Sequence, residues 1–109
     1  MTPLFIYILQ CRDKSYYTGV TRNVEKRVYE HQQGLLKNSY THSRRPVQLI
    51  FTESFSKPLE AIEREKQIKG WSRKKKEALV SGDFAGLQKL SKKKQLSRWA
   101  LRHAHGDSA

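Results

Sequence analysis

The sequence predicts a small α/β domain: a three-stranded, mostly antiparallel sheet flanked by helices, followed by a basic helical C-terminal extension. Three observations carry that expectation. Two short runs rich in aromatic and β-branched residues flank a four-residue polar gap, as in a β-hairpin. Later segments open on a capping residue or a proline and close on a glycine, as helices do. The 109 residues are the length of a single compact domain.

The first strand is read over Phe5 to Cys11 and the second over Tyr16 to Val20, with Arg12 to Ser15 as the connecting loop. Gly19 either admits a bulge or a close approach of another chain, or simply ends its strand. Thr21 or Asn23 caps a helix running to about Gln33, where Gly34 stops it. At about 100° per residue, Val24, Arg27, Val28 and His31 share one stripe of that helix. A guanidinium and an imidazole on an inward stripe must face the sheet or a cleft beside it.

Leu35 to Pro46 has no period and reads as a loop, and Val47 to Glu53 reads as the third strand. Pro58 opens a helix that Gly70 closes, with Ala61, Glu65 and Ile68 on its inner face and Glu60, Glu63, Arg64 and Lys66 toward water. A carboxylate on an inner face must be paired or bound to a metal. Ser72 caps a further helix ending at Gly82, whose first turn is a dense cluster of cations. Residues 1–81 are therefore expected to form one domain. The extension over 82–109 carries Phe84, Leu87, Leu90, Leu96, Trp99 and Ala100 at helical spacing, a tri-lysine run from Lys92, and a frayed end.

The formal charge is +12, and the stretch from Ser72 onward, with 10 basic and 3 acidic residues, carries +7 of it. Such a chain attracts polyanions, and nucleic acid is the first partner to consider. The apolar run from Leu4 to Leu9 is too short to span a membrane, and it lacks a basic leader and a small-residue cleavage site. The lone Cys11 forms no internal disulfide and reads as a small buried hydrophobe, so a cytoplasmic location is expected. His103 and His105 have no further Cys or His nearby and do not read as a zinc site.

Five segments taken in order resemble the GIY-YIG nucleases, particularly the small single-domain prokaryotic members of the UPF0213-like group. They are Phe5-Ile6-Tyr7, Tyr17-Thr18-Gly19, the helix bearing Arg27 and His31, the Ala61 to Glu65 spacing, and the run from Lys66 to Ser72 with Arg73 to Lys76 behind it. The resemblance covers roughly residues 4 to 80. Phe5 stands where the first motif has its glycine, and Thr18 where the second has isoleucine. Some members use an asparagine downstream of the glutamate; this chain has none after Asn38, so another residue does that work or it is not done. The resemblance implies a metal-binding Glu65 and a tyrosine, Tyr7 or Tyr17, that activates water.

The residue chemistry agrees. Phosphodiester hydrolysis needs an activated water, neutralisation of charge on the phosphate, and help for the leaving oxygen. One carboxylate, Glu65, suffices for a single Mg²⁺ or Mn²⁺ whose shell is completed by water and phosphate oxygens. Two metals would need clustered carboxylates, and Asp13, Glu25 and Glu30 are scattered. Arg27 suits the transition state because its fork binds two phosphate oxygens and stays charged; its other reading is an ion-pair partner for Glu65. Tyr7 is the preferred base, although a phenol of pKa ~10 is a poor one. Either the cation and Arg27 stabilise the phenolate, or His31, titrating near ~6.5, takes the proton. Taken singly, Tyr7, Tyr17 and His31 also suit ordinary core packing.

Arg44, Arg45, Lys69, Trp71, Lys74, Lys75 and Lys76 are candidate nucleic-acid contacts, with Tyr16, Tyr40 and His42 beside them. The competing reading is a solvated charged face with Trp71 as a lid on the core. The expectation is a metal-dependent endonuclease acting on DNA with little sequence specificity. The alternative is a nucleic-acid-binding module on the same fold without significant catalysis. No membrane partner is expected, and no obligate protein partner is inferable.

Overall fold

A computed structural model describes residues 3–83. The elements are β1 (Leu4–Gln10), β2 (Tyr16–Thr21), α1 (Val24–Gln32), a single 3-10 turn (His42–Arg44), β3 (Gln48–Phe55), α2 (Pro58–Lys69) and α3 (Arg73–Ser81). They fall into two compact units, one ending at Glu65 and the other beginning at Lys66. The helices expected beyond Gly82, the tri-lysine run and the His103/His105 pair lie outside the described residues.

In the first unit the sheet has the order β2-β1-β3, and both pairings are antiparallel. β1 is central, with both edges paired, and Ile6, Tyr7, Ile8 and Leu9, which alternate between its two faces, are all buried. The turn that joins β1 to β2 is held by Cys11 N–H to Ser15 O at 2.8 Å and Lys14 N–H to Cys11 O at 2.9 Å. Lys14 takes the left-handed conformation there, φ 71°, and the Asp13 carboxylate accepts the Ser15 N–H at 3.1 Å. Tyr7, Leu9, Cys11 and Val47 form a cluster on one face, with Tyr17 and Val28 packed on it.

Local chemistry sets the helix ends. Asn23 caps α1, its side-chain oxygen accepting the Lys26 N–H at 3.0 Å, and Gly34 follows with φ +73°. The guanidinium of Arg45 lies where a Cβ on Gly34 would stand, its central carbon 2.6 Å from that point. β3 starts one residue later than expected and runs two residues further. The reason is that both backbone groups of Val47 are bonded by the Gln32 amide, at 2.9 and 2.8 Å, in place of a neighbouring strand. The 3-10 turn sits inside the stretch expected to be wholly irregular.

One expectation for α2 fails. Arg64, read as facing water, is 2 % exposed and its Nε lies 3.1 Å from Glu53 of β3. The buried stripe is Ala61, Arg64 and Ile68, and Glu65 sits half-buried at its edge. Burial pulls the Arg64 guanidinium down to about 10 while Glu53 pulls it back up, so it remains a cation at neutral pH. An arginine can take a core position when a carboxylate meets it there, and that partner lies on a different element.

In the second unit, Ser72 caps α3 by accepting the Lys75 N–H at 3.3 Å, and Gly82 ends it with φ +76°. Ala78 and Leu79 are its buried residues. No described helix is long and apolar enough to cross a membrane.

Candidate active site

Tyr7 lies directly across from Gly19 in the β1–β2 ladder. A Cβ on Gly19 would come within 2.5 Å of the ring carbon that bears the Tyr7 hydroxyl, and closer still to the hydroxyl itself. The glycine therefore leaves the space through which the phenol passes over β2. The approach expected at Gly19 is therefore made by a side chain of the same chain and not by another chain, and no bulge is involved.

The phenol ends on His31. Tyr7 Oη is 2.9 Å from His31 Nε2. The other ring nitrogen, Nδ1, is 2.7 Å from Thr41 Oγ1, which is 3.1 Å from Ser39 Oγ. Tyr7, His31 and Thr41 are each no more than 1 % exposed. Tyr17 stands edge-on to the imidazole, with ring centroids 5.1 Å apart, and 6.2 Å from the Tyr7 ring. The structure thus gathers Tyr7 from β1, Tyr17 from β2 and His31 from α1, with Thr41 from the loop before the 3-10 turn.

Burial pushes the Tyr7 phenol well above its ordinary value, neighbouring Tyr17 adds to the rise, and Arg27 opposes it. Glu65 raises it too, by the smallest of these effects. Burial lowers His31, with Arg27 pushing the same way and Glu30 against it. Around neutral pH the pair is a neutral phenol and a neutral imidazole.

Arg27 is about half exposed. Its Nε is 3.5 Å from Glu30 on the next helical turn, so the ion pair that sequence set against Glu65 is made with Glu30. Arg27 forms the ridge between two open grooves. One, of about 470 Å³, is lined by Tyr17, Arg27, Leu36, Lys37, Asn38, Ser39 and Tyr40; the other, of about 290 Å³, by Thr21, Arg22, Asn23, Lys26, Arg27 and Glu30. Among the described residues no three His, Cys, Asp or Glu side chains cluster into a metal cage. Half-buried Glu65 is a single hard oxygen donor, of the kind that a cation such as Mg²⁺ accepts with most of its shell left to water and phosphate.

The candidate nucleic-acid contacts are placed unevenly. Arg45 is committed to backbone carbonyls, with Nε to His42 O at 2.9 Å and Nη1 to Gln32 O at 3.3 Å. Arg44 meets Asp13 at 3.2 Å and lies 3.8 Å above the Tyr40 ring, which in turn stacks on Tyr17 at 6.5 Å. In the second unit Lys75 lies 4.4 Å over the half-buried Trp71, and Lys76 is half-buried, its ammonium lowered by burial and by Arg73. Lys69 and Lys74 are exposed. Sequence reasoning gave no role to Thr41 or Ser39; nothing local distinguishes them from other loop hydroxyls.

The family model described as the GIY-YIG catalytic domain matches residues 3–78. The chain belongs to the GIY-YIG family. Its relatives include a UPF0213 protein of Staphylococcus saprophyticus, 47% identical over 81 residues, spanning 74% of this chain and 98% of that one. A UPF0213 protein of Natronomonas pharaonis is 47% identical over 79 residues, spanning 72% and 92%. Among solved structures, the solution NMR structure of a UPF0213 protein from Bacillus halodurans matches with 37% identity and a TM-score of 0.50, covering 87% of this chain and 99% of that one. A protein from E. faecalis, also solved by NMR, matches with 35% identity and a TM-score of 0.56, covering 78% and 90%. These likenesses agree with the three-stranded antiparallel sheet and its helices. In GIY-YIG terms, the first motif's tyrosine is Tyr7 and the second motif's glycine is the Gly19 that makes room for it.

Proposed function

We propose that this GIY-YIG domain is a metal-dependent endonuclease that hydrolyses DNA phosphodiester bonds with little sequence specificity, in the cytoplasm. The observation that carries the reading is the buried Tyr7–His31 bond with Tyr17 edge-on to the imidazole. A buried phenol needs a hydrogen-bond partner in any role, and an imidazole is the partner that can also take its proton.

Tyr7 Oη takes the proton of the attacking water while its own proton moves to His31 Nε2. This order avoids a free phenolate, which burial makes costly. Tyr17 holds the imidazole edge-on and restricts its rotation. Arg27, half exposed on the ridge between the grooves, meets the phosphate and gathers the charge that develops on its oxygens. Glu65 holds one Mg²⁺ or Mn²⁺, which when bound supplies Lewis-acid stabilisation of the phosphate and the leaving oxygen. Residues 1–81 act as the catalytic domain. The cations from Ser72 onward, exposed Lys74 among them, and exposed Lys69 just before them supply backbone attraction independent of sequence.

The test is cleavage of plasmid, single-stranded, branched and RNA substrates with and without Mg²⁺ or Mn²⁺, with Glu65→Ala as the comparison. Metal-dependent cutting of DNA that is lost in Glu65→Ala is the expected result. Tight binding with no cutting across the panel would instead identify a binding module on this fold.

A further inference from the structure

We infer that Thr41 and Ser39 form a proton outlet for the site, carrying the proton that leaves Tyr7 through His31 into the groove bounded by Tyr17, Arg27 and Ser39. The inference rests on the hydrolytic reading above and adds two positioning residues to it. Four side chains from three segments form one unbroken line: Tyr7 Oη to His31 Nε2 at 2.9 Å, His31 Nδ1 to Thr41 Oγ1 at 2.7 Å, and Thr41 Oγ1 to Ser39 Oγ at 3.1 Å. The first three members are each about 1 % exposed, and the fourth is half-buried and lines the open groove. Ser39 Oγ also accepts the Thr41 backbone N–H at 3.4 Å, which leaves the serine hydroxyl hydrogen available to the groove.

The transfer balances without charging any member. Water gives a proton to Tyr7 Oη as its oxygen bonds to phosphorus, and the P–O bond to the leaving oxygen breaks, its electron pair staying on that oxygen. Tyr7 gives its original proton to His31 Nε2, His31 gives its Nδ1 proton to Thr41 Oγ1, Thr41 gives its hydroxyl proton to Ser39 Oγ, and Ser39 gives its own to water in the groove. Each member of the line ends with as many protons as it held before, His31 having exchanged one tautomer for the other; the attacking water has become the new P–O–H oxygen, and the groove water holds the proton it lost. The starting tautomer returns when the line runs in reverse: groove water returns a proton through Ser39 and Thr41 to His31 Nδ1, His31 Nε2–H goes back to Tyr7 Oη, and Tyr7 gives a proton to the leaving oxygen. Without Thr41 the proton would stop on His31 as an imidazolium, next to Arg27 and inside the protein, where burial and that guanidinium both oppose the charge. Glu30 is the carboxylate that favours it, and it is already paired with Arg27.

The path requires His31 to carry its proton on Nδ1 at rest, with Nε2 accepting from Tyr7. ¹⁵N NMR of the imidazole in the full chain, free of metal and DNA, reads this directly. The Nδ1–H tautomer is expected in wild type, and a shift toward Nε2–H in Thr41→Val, which keeps the shape and removes the hydroxyl. An Nε2–H wild type overturns the path. In DNA cleavage, Thr41→Val should lower kcat at least about 10-fold at unchanged KM, with Thr41→Ser restoring the rate. Ser39→Ala, on the groove wall, should be slow and should recover with added imidazole as an external proton acceptor. A Thr41→Val or Ser39→Ala enzyme as fast as wild type, or a slow Ser39→Ala that imidazole does not help, overturns it as well. If wild type cuts no substrate with any divalent metal, the hydrolytic reading fails and the outlet with it; if wild type cuts and the tautomer is wrong, the outlet alone fails.

Discussion

The two faces of β1 are equally sealed and differently built. On one face Tyr7 leads to His31 and Thr41, three buried polar side chains from separate segments, each bonded to the next. On the other, Ile6 and Ile8 pair across the sheet with Glu53 and Thr18, and the polar contact there is the Arg64–Glu53 ion pair joining α2 to β3. The buried hydroxyl of Thr18 has no hydrogen-bond partner. The first face arranges its polar groups into a line that can move a proton, and the second uses a charge pair to fix a helix on a sheet. Substitutions on the first should therefore act on rate, and those on the second on stability.

The largest expected effect is on the catalytic side. Arg27→Ala should lower the cleavage rate by about 10²–10³-fold, the usual cost of losing a donor to transition-state charge. Its melting temperature should barely move, because a half-exposed arginine paired at 3.5 Å contributes little to folding. A variant that melts early yet cuts normally would break the distinction between the faces.

Glu53→Ala is the converse. It leaves the buried Arg64 guanidinium without that carboxylate and should cost about 2–3 kcal/mol in urea unfolding, less than a fully buried pair because Glu53 is 31% exposed. Cleavage well below the melting point should be unchanged. A loss of rate without loss of stability would transfer Glu53 to the site.

The pH dependence of folding sharpens the contrast on the Tyr7 side. Burial lowers His31 from its ordinary 6.5, so the unfolded chain binds the proton more readily than the folded one. Stability from this group is fully present above the unfolded value and is lost as pH falls through the folded one. Melting temperature should therefore decline as pH drops below about 6.5, and His31→Gln should flatten that decline. A wild type indifferent to pH between 7 and 5, a range set on the scale of histidine titration at about 6.5, would remove the buried neutral imidazole from the account.

The smallest effect has the opposite sign. Thr18→Val replaces an unpartnered buried hydroxyl with a methyl of the same shape and should stabilise by up to about 1 kcal/mol without changing the rate. A destabilised variant would mean that the hydroxyl is bonded after all.

What could be read from sequence was mostly local. Asn23, Ser72, Pro58 and Gly82 mark helix ends through chemistry spanning one turn, and all four lie where that chemistry put them. The stripe of Arg27 and His31 followed from helical spacing alone. What escaped was set by partners distant in sequence. Arg64 is buried because of Glu53, 11 residues away on a strand. Thr41 matters because of His31, 10 residues away across a loop without period. Even the direction in which Tyr7 points was hidden, because a central strand buried on both sides shows no alternation of apolar and polar residues.

The central claim is that the Tyr7 hydroxyl takes part in phosphodiester hydrolysis, and the most direct measurement is the single-turnover rate of DNA cleavage in saturating Mg²⁺ by wild type and Tyr7→Phe, with melting curves on the same samples. Phenylalanine keeps the ring that fills the space over Gly19 and removes only the oxygen bonded to His31. The account predicts a rate lower by about 10²–10⁴-fold in a protein that still folds cooperatively. A folded Tyr7→Phe protein that cuts DNA as fast as wild type would contradict it.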